Sequence, residues 1–166
     1  MTHSKTMADV LKLEARALTR AAEILERSHS KDVEKLTGLF DQLKSTDSAI
    51  IFCGVGKSGI IAKKCAATFT SLGLPSYFLH PTEALHGDLG RVGRNDALVL
   101  LSKSGTTEEI MKLLPFLQVP KSHRIALVGN AVSPIAEACD IVFDCSVEKE
   151  ACINNQAPTT SSTLAL

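Results

Sequence analysis

Five short apolar runs separated by helical spacing constrain this chain more than any other feature. Ala49–Cys53 ends at Gly54, Ser76–Leu79 at His80-Pro81, Asp96–Leu101 at Ser102 and His123–Val128 at Gly129; Ile141–Asp144 is the fifth. Strands that are apolar almost throughout, alternating with helices, belong in a parallel sheet covered on both faces, because each crossover lays a helix on the sheet. The spacing predicts intervening helices through Ile60, Ile61 and Phe69, over Thr82–Leu89, from Thr107 to about Leu117, and near Ser133–Cys139, with a turn at Gly73-Leu74-Pro75.

The N-terminal part is helical by the same criterion. Leu11, Ala15, Leu18, Ala22 and Leu25 form a narrow apolar seam, and Val33, Leu36, Phe40 and Leu43 a second one, with Ser30 as the candidate N-cap. Such a seam packs on the parent domain or on another subunit. Residues 1–45 are therefore expected to be a helical segment packed on the domain, and 46–166 the domain proper. At the other end, Ala157-Pro158-Thr159-Thr160-Ser161-Ser162-Thr163-Leu164-Ala165-Leu166 reads as a helix starting near Pro158 or Thr159 and stopping within its first turns. That ending suggests a C-terminally incomplete piece.

Chemistry concentrates where strands end. After Leu98–Leu101 comes Ser102-Lys103-Ser104-Gly105-Thr106-Thr107-Glu108-Glu109, which places hydroxyls and a helix's unpaired N–H groups around one small volume, with two carboxylates close behind. Gly54-Val55-Gly56-Lys57-Ser58-Gly59 formally satisfies G-x-G-x-x-G. A dinucleotide site also needs an acidic residue about 20 positions on, where Tyr77-Phe78-Leu79-His80-Pro81 has none. The phosphate-loop pattern of nucleotidases fails too, since Ile51 stands where its first glycine belongs. What remains is a glycine turn presenting Lys57 and Ser58, either a plain turn with a solvated lysine or half of a phosphate clamp. Two such loops at one end of one sheet favour the clamp. His86 lies between Glu83 and Asp88, a weak metal signal, and Glu148-Lys149-Glu150 brings a further carboxylate to the same edge.

Composition excludes other classes. A formal net charge of zero and few aromatics give no footprint for nucleic acid or an acidic membrane surface. No run approaches the roughly 20 residues of a membrane span, and the N-terminus lacks a signal-peptide core. Cys53, Cys65, Cys139, Cys145 and Cys152 are odd in number and without a C-x-x-C pair, as expected of reduced thiols in a cytoplasmic protein.

Gly54-Val55-Gly56-Lys57-Ser58-Gly59, His80-Pro81, Ala84-Leu85-His86-Gly87-Asp88-Leu89-Gly90, Ser102-Lys103-Ser104-Gly105, Lys149-Glu150-Ala151-Cys152 and Ala157-Pro158-Thr159-Thr160 occur in that order. Over about residues 8–166 the chain thereby resembles the sugar isomerase (SIS) domain of D-arabinose 5-phosphate isomerases. The resemblance implies a three-layer α/β/α sandwich with a five-stranded parallel sheet of flavodoxin-like order. It implies interconversion of D-ribulose 5-phosphate and D-arabinose 5-phosphate through a cis-enediol, supplying the Kdo sugar of lipopolysaccharide. Ser58, Ser102, Ser104 and Thr107 match the phosphate-holding hydroxyls, and Lys57, His86, Glu109 and Glu150 the active-site residues; Glu109, not Glu108, aligns with the family's acid. Glu150 is the expected proton shuttle, with Glu109 as rival or partner. Lys57 would stabilise the enediolate, and His86 would move hydroxyl protons, polarise the carbonyl, or take an adventitious or inhibitory zinc ion. The chemistry needs no cofactor. The family is usually tetrameric, often carries a CBS pair, and uses a further histidine in an S-H-P-G-G segment not found in these 166 residues. Two alternatives stay open: a phosphosugar sensor without catalysis, and an isomerase of a related phosphosugar.

Overall fold

The five apolar runs pair side by side, all parallel, in the order β2-β1-β3-β4-β5. This is a computed structural model, and it describes residues 3–166. Two helices come first, α1 (His3–Ser28) and α2 (Ser30–Thr46). The alternating part follows as β1 (Ile50–Gly54), α3 (Gly56–Ser71), β2 (Ser76–Leu79), α4 (Pro81–Leu85), β3 (Ala97–Ser102), α5 (Glu108–Leu113), β4 (Arg124–Val128), α6 (Pro134–Glu137), β5 (Ile141–Asp144) and α7 (Thr160–Ala165).

The sheet is buried on both faces because its strands are apolar at nearly every position, and the two-residue side-chain period sorts them into two cores. Ile50, Phe52, Ala97, Val99 and Leu101 pack with Leu39 and Leu43 of α2 and Ala62 and Ala66 of α3. Ile51, Cys53, Leu98 and Leu100 face the other way, onto Ala84 of α4, Ile110 and Leu113 of α5 and Ile135 of α6. The result is a three-layer α/β/α sandwich with the expected five-stranded flavodoxin-like order. Since β1 lies between β2 and β3, the chain changes direction across the sheet at the C-terminal ends of β1 and β3, where such folds leave a crevice.

Several expected boundaries move for local reasons. Ser30 is not the N-cap of α2 but its first residue. His29 takes the cap position, and its Nδ1 lies 3.2 Å from the Asp32 carboxylate. The helix expected to reach Leu117 ends at Leu113 and tightens into a 3-10 turn at Leu114–Phe116, because Pro115 has no N–H to continue the ladder. Thr82–Leu89 divides into α4 and a 3-10 turn at Asp88–Arg91. Asp96 precedes β3 rather than joining it, and its carboxylate accepts the N–H groups of Ala49 (2.8 Å) and Gly93 (2.7 Å). Of the 1–45 segment, α2 contributes to the core, whereas α1 has no buried residue and leaves Met7, Leu11, Leu18 and Leu25 exposed.

Candidate active site

Strand order brings the two loops together. Gly54 at the end of β1 is in register with Leu101 of β3, so the Val55–Ser58 turn and the Ser102–Thr107 loop rise side by side. Strand end and helix start also approach closely: a Cβ on Gly59 would lie 2.8 Å from the Gly54 carbonyl oxygen. Only glycine lets α3 begin this near the strand, with its first N–H groups aimed over the sheet edge.

Between these loops and α7 lies a cavity of about 220 Å³, lined among others by Lys57, Ser58, Ser102, Lys103, Ser161 and Ser162. Lys57, Ser58 and Ser102 are thus brought together as expected from the sequence. Ser102 is buried, and its Oγ accepts the Gly105 N–H (3.0 Å) and shares a 2.7 Å hydrogen bond with Thr107 Oγ1. Ser104 Oγ accepts the Thr106 N–H at 3.1 Å. Thr107 and Ser104 therefore shape the loop and do not line the cavity. Lys103, Ser161 and Ser162 do line it and were missed: Lys103 reads as a solvated lysine between two serines, and the 159–163 hydroxyls read only as a helix start.

Glu150 has a different setting from the one its charged sequence neighbours suggest. The residue is buried at 1% exposure, its carboxylate surrounded by donors. Lys103 Nζ lies 2.6 Å from Oε1, which also accepts the Ser161 hydroxyl. Oε2 accepts the N–H groups of Thr159 (2.8 Å) and Ser161 (3.1 Å) and the Thr159 hydroxyl (3.2 Å). Burial alone would raise the carboxyl's pKa. The Lys103 ammonium, the Ser161 hydroxyl and the two N–H groups more than reverse that, holding it at about 2. A carboxylate so stabilised is a tether for α7 and a weak proton acceptor.

His86 and Glu109 stand outside the cavity. His86 is exposed at the end of α4, Glu109 is half-buried in the first turn of α5, and these two helices pack against one another. Among the described residues no three His, Cys, Asp or Glu side chains gather into a metal-binding group. No helix of the described residues is long and apolar enough to cross a membrane.

The SIS domain family model matches residues 43–166. The chain belongs to the SIS domain family. A Haemophilus influenzae "Probable arabinose 5-phosphate isomerase" is 40% identical over 166 residues, 100% of this chain and 47% of the relative. The Pseudomonas aeruginosa arabinose 5-phosphate isomerase KdsD is 46% identical over 117 residues, 70% of this chain and 36% of the relative. This SIS chain thus spans less than half the length of these curated relatives. Among solved structures, an Escherichia coli CFT073 protein in complex with arabinose 5-phosphate superposes with a TM-score of 0.78 at 38% identity, covering 100% of this chain and 86% of that one. A Bacteroides fragilis structure superposes with a TM-score of 0.85 at 34% identity, covering 99% and 84%.

Proposed function

We propose that this SIS chain is the isomerase portion of an arabinose 5-phosphate isomerase, interconverting D-arabinose 5-phosphate and D-ribulose 5-phosphate. One observation carries the reading: the switch-point cavity combines two lysines with four serine hydroxyls, in a chain 38% identical to a structure that holds arabinose 5-phosphate. Lys57, the lysine not paired with Glu150, and short hydroxyl donors suit a phosphate monoester, and anchoring the phosphate fixes where the sugar's C1 and C2 lie.

In the aldose-to-ketose direction a base removes the C2 proton and returns it to C1, while the hydroxyl proton on O2 moves to O1, through a cis-enediol. The Glu150 environment shifts our choice of base to Glu109, which has no such ring of donors around it, leaving Glu150 to position α7. Lys57 stabilises the negative charge that grows on the sugar oxygens, an effect worth a few kcal/mol in a water-poor site. His86 relays hydroxyl protons, and Ser104 and Thr107 act on the phosphate through the loop they hold. We assign the product to Kdo and lipopolysaccharide synthesis in the cytoplasm. Residues 1–45 serve assembly into a homotetramer, and 46–166 carry the chemistry.

The exposed position of His86 favours one rival, a phosphosugar-binding module without catalysis. Incubation with arabinose 5-phosphate in deuterium oxide separates the two. Ribulose 5-phosphate with deuterium entering at C1, and at C2 of the recovered arabinose 5-phosphate, supports the isomerase. A raised melting temperature with no exchange supports the sensor, and neither response rules out both.

A further inference from the structure

We propose that a second cavity, apart from the switch-point site, binds a phosphate-type oxyanion. It measures about 230 Å³ and lies between α1, the segment after β5 and the start of α7, with Arg16, Arg20, Ser146, Glu148, Lys149 and Thr160 in its wall. Two independent observations point to a ligand.

The first is an orphaned donor. Thr160 is 1% exposed, and its Oγ1 is the one buried side-chain polar atom without a hydrogen-bond partner among the described residues. Buried hydroxyls are almost always partnered, because leaving water unpaired costs free energy. Its neighbours Thr159 and Ser161 are both committed to Glu150, so of these three Thr160 alone has an unused hydroxyl, on a residue in the wall of the cavity.

The second is charge. Arg16, Arg20 and Lys149 bring three positive charges against one negative, and that carboxylate, Glu148, is already paired with Arg20. Arg16 and Lys149 have no ion-pair partner among the described residues. Two uncompensated cations and a hydroxyl donor match a tetrahedral dianion: the guanidinium offers paired donors, the ammonium a point charge, and Thr160 Oγ1 donates from the cavity floor. The ligand class is inorganic phosphate or a phosphate monoester.

The position gives the site a consequence. α7 supplies Thr160 to this cavity and Ser161 and Ser162 to the first. An anion held by Thr160 steadies the turn whose next residue lines the first cavity, so the two sites favour each other's occupancy, and the coupling is reciprocal.

Titration of the 166-residue chain with inorganic phosphate at constant ionic strength, by calorimetry and melting temperature, tests this without reference to isomerase activity. Two phosphates per chain are expected. Arg16→Ala and Thr160→Val should each weaken one of them at least tenfold and the other by a smaller factor set by the coupling, whereas Lys57→Ala should do the reverse. In phosphate-free buffer Thr160→Val should melt no lower than the parent, since it deletes an unpaired hydroxyl and keeps the shape, which also guards against misfolding. A single phosphate per chain that Lys57→Ala abolishes, a second event that survives both Arg16→Ala and Thr160→Val, or a Thr160→Val chain that melts lower without phosphate would overturn the proposal; a single event lost in Arg16→Ala and kept in Lys57→Ala would uphold it and overturn the phosphate reading of the first cavity.

Discussion

The Lys103 ammonium lies 2.6 Å from the Glu150 carboxylate, joining the loop that follows β3 to the segment that carries α7. The pair is lopsided: the Lys103 side chain is half-exposed, whereas that of Glu150 is almost wholly buried. Removing either partner therefore has unequal consequences.

Glu150→Ala should destabilise the chain by about 3 kcal/mol, since it strips an acceptor from a set of buried donors. Lys103→Met should cost only about 1 kcal/mol, because four hydrogen bonds from Thr159 and Ser161 still hold the carboxylate. Urea midpoints of the two variants measure the difference, and equal losses would contradict a carboxylate-centred tether.

Acid should act through the same group. The Glu150 carboxyl is held at about 2 against an ordinary 4.5, so between those values the unfolded chain binds more protons than the folded one. Its contribution is complete above pH 4.5 and is lost as pH falls towards 2, a change on the order of 3 kcal/mol. Melting temperatures from pH 7 down to pH 3 should fall less steeply for Glu150→Gln than for the parent.

Gly105 adopts φ +71, and a Cβ there would meet Ser133 Oγ at 2.1 Å. Gly105→Ala should cost at least about 2 kcal/mol from the left-handed backbone and the clash together. It should also weaken phosphosugar binding by disturbing the Ser102 hydroxyl, which accepts the Gly105 N–H. Chemical denaturation and a binding titration read the two effects separately.

Cys152 should be the first thiol to react. Backbone N–H groups of Ala157 and its neighbours lower its pKa, whereas burial pushes Cys53 and Cys139 up to about 12. Timed alkylation with mass-spectrometric readout should place the fast phase on Cys152, and Cys152→Ser should abolish it.

For the base, Glu109→Gln should reduce deuterium exchange at C2 by roughly 100-fold or more with phosphosugar binding preserved. Glu150→Gln should instead loosen binding and lower stability together. Loss of exchange confined to Glu150→Gln would restore the first assignment made from sequence.

The fold was legible where residues speak for themselves. Ser76–Leu79 and Ile141–Asp144 are strands at the very bounds their apolar runs suggest, and Lys57, Ser58 and Ser102 meet because strand order places two loops together. Pro115 was visible in the sequence, yet its effect on the expected helix depended on where that helix ended. The Glu150 environment was not legible, since its lysine partner lies 47 residues away and its other donors come from a hydroxyl run with no pattern pointing back. Likewise, the α1 seam was plain, but nothing in its spacing said that the chain itself would leave it uncovered.

The sheet closes at Asp144, but the folded unit does not. Thr159 and Ser161 satisfy a charge buried nine and eleven residues earlier in the chain. A shortened chain ending anywhere between Glu150 and Thr159 would keep every strand and still strand an anion in the interior. Expression boundaries, fusion junctions and protease-trimmed products of this domain should therefore be placed beyond Ser161.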